Sequence, residues 1–290
     1  MPRKVGFVES TKSFRLFETF LSEAAFCNAD FLVFAPDKYY NFGKLPTYRI
    51  LKQRTFLDSL KLIGRSQNEI VFDIGGLVKY LLQNDIFIKN SNKTVVFKYI
   101  NSIYNVVNNL IISANKELFD SFLKILNVAK DVLQLEIKDK EILIDFKVSE
   151  IIDDSYISSK NSGFKLIKEF ALNPAICLDI DVEVFLEKDC STKEILSRIE
   201  NLTDLKLIRL TNLEFFNKIC KKPKKFNQSK IVNAMVNFLN SNKIKNIPVA
   251  VERNKEISNK FITLFINTLK SEVIEPAKLE DSLKIIDELE

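Results

Sequence analysis

The strongest constraint on this chain is a recurring unit: a short apolar strand run, an amphipathic helix, then two more strand runs joined by a tight turn. A period of this kind decides the fold before any motif does. The first unit opens with a strand over Val5 to Val8 and a helix from about Ser13 to Phe26, whose Phe14, Phe17, Leu21, Ala24 and Ala25 share one face. Strands at Phe31 to Phe34 and from Tyr39 flank a turn at Pro36-Asp37-Lys38. The second unit runs through strand Ile70 to Ile74, helix Gly76 to Gln83, strand Asp85 to Lys89, a turn over Asn90 to Lys93, and strand Thr94 to Tyr99. The third has strand Leu110 to Ser113, Asn115 as N-cap, a helix from Lys116 to Ala129, and strands Val132 to Ile137 and Glu141 to Val148. A fourth begins at Ala175 to Ile180, carries two helical pieces, Val182 to Lys188 and Thr192 to Asn201, and ends with strand Leu205 to Leu210. After Pro223 the pattern changes to helices only, at Ser229 to Asn240, Ser258 to Ser271 and Lys278 to Glu290.

These divisions predict an α+β protein with two similar domains, residues 1–104 and 105–222, each of two strand-helix-strand-strand units, and a helical C-terminal extension, 223–290. At 290 residues and 46% hydrophobic content, the chain has the material for both cores. Apolar stretches such as Leu110-Ile111-Ile112 and Ala175-Ile176-Cys177-Leu178 fall far short of the roughly 20 residues a membrane span needs. Met1-Pro2-Arg3-Lys4 leads into no signal-type apolar region, so an intracellular protein is expected, cytoplasmic or, in a eukaryotic host, nuclear. Heavy use of Lys, Asn, Ile and Phe with six glycines suggests an AT-rich genome, viral, phage or low-GC bacterial.

The chain contains no histidine, and Cys27, Cys177, Cys190 and Cys220 show no C-x-x-C spacing. Ser-His and Cys-His catalysis are thereby excluded, leaving carboxylates, lysines or a carboxylate-bound metal, and the cysteines read most simply as buried small apolar residues in a reducing compartment. No G-x-x-x-x-G-K-[ST] loop or G-x-G-x-x-G fingerprint occurs. The formal charge of +5 is compatible with a phosphate-backbone partner. These absences point to binding in place of catalysis.

Residues 1 to about 218, and above all the stretch from Leu110 through Leu126 continuing from Val132 to Phe146, resemble DNA sliding clamps of the proliferating-cell nuclear antigen and phage processivity-factor type. The resemblance is one of element order and length. It implies a ring, expected here as a homotrimer, whose helices line a central hole facing double-stranded DNA, tethering a polymerase or transcription complex without a cofactor. It further implies that Lys12, Arg15, Lys79, Lys116, Lys124, Lys130, Lys193 and Arg198 meet phosphates; taken singly, each is better explained as part of a solvated helix face, and only the set as a whole discriminates. The chain departs from the family in its short connector, Ile100 to Asn109, in the extra helix of the fourth unit and in the extension after Pro223.

Two alternatives belong to other classes. Leu178-Asp179-Ile180-Asp181-Val182 alternates two aspartates with apolar residues, as a strand would to aim both at one side, and nucleotidyltransferases hold Mg²⁺ in this way. A helix N-terminus at Asp181 explains the same residues more simply. Lys38-Tyr39-Tyr40-Asn41-Phe42-Gly43-Lys44 interleaves aromatics with cations, as a single-strand nucleic-acid binder would, although cross-strand packing in a hairpin accounts for it with fewer assumptions.

Overall fold

A computed structural model describes residues 2–11, 26–36, 70–76, 78, 109–129, 141–148, 164–165, 167–169, 173–186, 192–200, 202, 204–221, 227–252 and 257–287. Eight strands are present among them: β1 (Val5–Thr11), β2 (Phe31–Pro36), β3 (Ile70–Asp73), β4 (Asn109–Ser113), β5 (Glu141–Lys147), β6 (Asn173–Asp181), β7 (Leu205–Thr211) and β8 (Val249–Glu252). They form one closed barrel in sequence order, every neighbouring pair parallel, with β8 bonded to both β7 and β1. The helices described are α1 (Lys116–Ala129), α2 (Thr192–Glu200), α3 (Phe215–Lys221), α4 (Gln228–Leu239), α5 (Asn259–Leu269) and α6 (Pro276–Asp287), with a 3₁₀ turn at Val182–Leu186. A closed parallel eight-stranded barrel with helices on its connections is the (β/α)₈ architecture.

This overturns the expectation of two clamp-like domains and a helical extension. Several strand runs lie where the sequence places them, at Val5, Phe31, Ile70, Leu110, Glu141, Ala175 and Leu205, but they pair with one another in parallel across long connections. A parallel pair needs a crossover, so it cannot be a hairpin. The expected hairpin strands from Tyr39, at Asp85 to Lys89, at Thr94 to Tyr99 and at Val132 to Ile137 lie outside the described residues. The segment after Pro223 is not all helical: Val249–Glu252 is the strand that closes the barrel.

Strand alternation sorts the apolar residues into two shells. Val8, Val33, Val71, Ile111, Leu143 and Leu207 point into the barrel, and Phe31 joins them where Gly6 makes room. Phe7, Phe34, Phe72, Leu110, Ile144 and Leu178 point outward into the larger cluster, which takes in Phe119 and Phe122 of α1, Met235 of α4, and Phe261 and Phe265 of α5. Each such side chain stabilises the fold by about 1.5–3 kcal/mol when fully buried. Local signals set the helix starts: Asn115 Oδ1 accepts from the Glu117 amide at 3.1 Å, Asn227 Oδ1 from Lys230 at 3.0 Å, and Ser258 Oγ from Phe261 at 3.1 Å. Among the described residues no helix is long and apolar enough to cross a membrane.

Candidate active site at the C-terminal mouth of the barrel

Because all eight strands run the same way, their C-terminal ends form one mouth, and the first inward position above the apolar layer of a strand faces its counterparts across it. On β3 that residue is Asp73, above Val71; on β5 it is Asp145, above Leu143. On β6 Asp179 stands above Cys177, on β7 Arg209 and Thr211 above Leu207, and on β8 Glu252 above Ala250. The barrel is therefore apolar in its middle layers and ionic at its mouth. Arg209 is the centre: Nη1 donates to Asp145 Oδ2 at 2.8 Å and to Asp73 Oδ2 at 3.4 Å, and Nη2 to Glu252 Oε2 at 3.1 Å. Asp73 is further held by the Gly75 amide, which donates to its Oδ1 at 2.9 Å. The Thr211 hydroxyl donates to Asp179 Oδ1 at 2.7 Å.

The environments of these groups differ. Arg209 and Asp145 are buried, with side chains 9% exposed, whereas Glu252 keeps 32% of its side chain in solvent. Burial pushes the Asp145 carboxyl up to about 7; Arg209 pulls it back, while Asp179 and Asp73 add to the rise. Burial also raises Glu252, again opposed by Arg209. Burial would lower the guanidinium, but Asp145, Asp73 and Glu252 outweigh it and hold it well above its ordinary value. The Cys177 thiol, beside Asp145 on the neighbouring strand, is pushed far up by burial and by that carboxylate, so it is a thiol and not a nucleophile. Asp145 Oδ1 and Arg209 Nε are buried without a hydrogen-bond partner of normal geometry among the described residues. Such a cluster holds the Asp145 carboxyl well above the ordinary carboxylate range, next to carboxylates that accept hydrogen bonds from Arg209, Gly75 and Thr211.

The sequence-predicted residues fall elsewhere, with one exception. Lys12, Arg15, Lys79 and Lys130 lie outside the described residues. Lys116 and Lys124 are exposed on α1, and Lys193 is exposed and Arg198 half-buried on α2, all in the outer layer of helices. Asp179 and Asp181 do point to one side, as their alternation predicts, but they have separate partners. Asp181 Oδ1 accepts from the Glu183 amide at 2.8 Å and from Asn212 Nδ2 at 2.9 Å at the rim, opening the 3₁₀ turn as a cap. Among the described residues no three acidic or cysteine side chains are placed to hold a metal ion. The acids of the mouth converge on Arg209, whose charge takes the place a cation would occupy. Asp73, Asp145, Arg209, Thr211 and Glu252 were not singled out in the sequence. Their signal is a lone charge near the end of an apolar strand run, as in Ile142-Leu143-Ile144-Asp145-Phe146 and Val249-Ala250-Val251-Glu252.

The class defined by fold and mouth is thus a (β/α)₈ barrel with an ionic cluster where that architecture carries its sites. No protein-family model matches the sequence, and no curated protein matches it. Solved structures similar to it include an endonuclease IV from Thermus thermophilus, at 10% identity and a TM-score of 0.46 over 99% of this chain and 98% of that one. A GH18 chitinase from Pseudoalteromonas aurantia aligns at 8% identity and 0.49, over 92% and 99%, and the N-terminal domain of a putative aldolase from Bacteroides vulgatus at 12% and 0.44, over 99% and 86%. The clamp reading falls with its fold. A clamp subunit lines a hole with helices, whereas here the helices pack outward against a barrel filled by side chains. The DNA-bound trimer, the polymerase partner and the processivity role rested on that ring and fall with it. The nucleotidyltransferase and single-strand-binder alternatives gain no support from a (β/α)₈ barrel either.

Proposed function

We propose that this chain is a barrel enzyme that transfers protons by carboxylate general acid–base catalysis at the C-terminal mouth, acting on a neutral or cationic substrate. The observation that carries this reading is the environment of Asp145, a carboxyl held up to about 7 by burial beside a guanidinium shared with Asp73 and Glu252. In this scheme Asp145 gives the proton. Glu252, which keeps about a third of its side chain in solvent, and Asp179, oriented by Thr211, receive one. Arg209 already serves three carboxylates, so it has no charge to spare for a phosphate or carboxylate ligand.

A screen of sugars, glycosides, polyols and amines against the full chain tests the proposal. Turnover of one of these, falling by about 10²–10⁴-fold in Asp145→Asn, is the expected result. No turnover across the panel, or turnover unchanged in both Asp145→Asn and Glu252→Gln, would sink it. The burial of Asp145 Oδ1 and Arg209 Nε favours a second reading, in which the cluster only braces β3, β5, β7 and β8 across the mouth of a barrel without chemistry. That reading is the one left standing if the panel is inert.

A further inference from the structure

Arg3, at the opposite end of the barrel from the mouth, is only 6% exposed. Its Nη2 donates to the carbonyls of Leu239 and Ile244, the first at the last turn of α4, and a cation suits a helix C-terminus. That role accounts for one nitrogen. Nε and Nη1 are buried without a hydrogen-bond partner among the described residues, and no described carboxylate forms an ion pair with the group. Burial without a counter-ion lowers the guanidinium to about 10. Arg209 resolves the same difficulty with three carboxylates; Arg3 has none among the described residues.

Arg3 lines an open cavity of about 520 Å³ together with Asn242, Lys245, Asn246, Ser271 and Glu272. The turn after α4 and the turn after α5 form its walls, both at the N-terminal end of the barrel. Lys245 is held there by a 3.0 Å hydrogen bond from its Nζ to Asn242 Oδ1. We propose that this cavity binds an oxyanion, the phosphate or carboxylate group of a small molecule. Arg3 supplies an unneutralised positive field from the floor, and Lys245, the two asparagine amides and the Ser271 hydroxyl supply direct donors. Glu272 is the one opposing charge in the lining, and it limits how tightly a bare anion is held. The site stands apart from the ionic mouth and does not depend on its chemistry.

Calorimetric titration of the full chain with inorganic phosphate and, separately, with malonate, against sodium chloride at matched ionic strength, tests this. Saturable binding of at least one ion is expected, and the tighter of the two tells a phosphate from a carboxylate ligand. Lys245→Ala, an exposed change that leaves the barrel intact, is expected to weaken that binding about tenfold. Glu272→Gln is expected to tighten it several-fold by removing the opposing charge. Absence of saturable binding by either ion, or affinity unchanged in both variants, would overturn the proposal.

Discussion

Arg209→Met would leave Asp73, Asp145 and Glu252 facing one another across the mouth with no cation between them. A loss of about 3–5 kcal/mol is expected, read from urea denaturation, because breaking one side of a buried ionic network strands the other. Arg209→Lys should recover little of it, since an ammonium cannot serve three carboxylates through two separate nitrogens. Asp145 adds a pH dependence with a definite sign. Its folded pKa, about 7, lies above the ordinary 3.8, so the folded protein binds that proton more tightly than the unfolded chain. The corresponding stability is fully present below about pH 4 and is lost as pH rises to about 7. Asp145→Asn, neutral throughout, should flatten that slope when urea midpoints at about pH 5 and pH 7.5 are compared. A variant as pH-sensitive as the parent would place the dependence elsewhere.

Among the elements, β1 and β2 depend on one glycine. A Cβ added at Gly6 would lie 2.2 Å from the Phe31 ring, whose residue is its register partner on β2. Gly6→Ala should therefore cost about 1–3 kcal/mol by overpacking, measurable as a lowered urea midpoint with an unchanged m-value. Element positions were largely legible in the sequence. Leu110-Ile111-Ile112 reads as a strand, Asn115 as a cap, and the Phe119 and Phe122 spacing as a helix face, because those signals are local. Strand partnership was not, because it depends on residues far apart. The clue was the unbroken apolar run, as in Ala175-Ile176-Cys177-Leu178, which suits a parallel strand buried on both faces better than a hairpin strand with one wet side. β8 escaped notice for a different reason: Val249-Ala250-Val251 is too short to show a period and follows a long helix. With the partners unknown, Asp73, Asp145, Arg209 and Glu252, spread over almost 180 residues of sequence, could not be seen as one cluster.

For the whole molecule, the segment after residue 222 is structural and not an appendage. β8 bonds to β7 on one side and β1 on the other, and α4, α5 and α6 cover the outside. A chain ending at residue 222 should lose the cooperative urea transition of the full protein, whereas a dispensable extension would leave it in place. The seam between the two ends is reinforced by Lys270, which pairs with Asp30 at 2.8 Å, and by the Val5 amide, which donates to Asp30 Oδ2 at 2.9 Å. That seam also governs how the protein is made. During synthesis at about 5–20 residues per second, the free edge of β1 waits on the order of ten to fifty seconds for Val249 to emerge. Through that interval Val5-Gly6-Phe7-Val8 offers unpaired backbone groups on an apolar strand. The β1 edge therefore stays open to other strands until the last strand of the barrel is made.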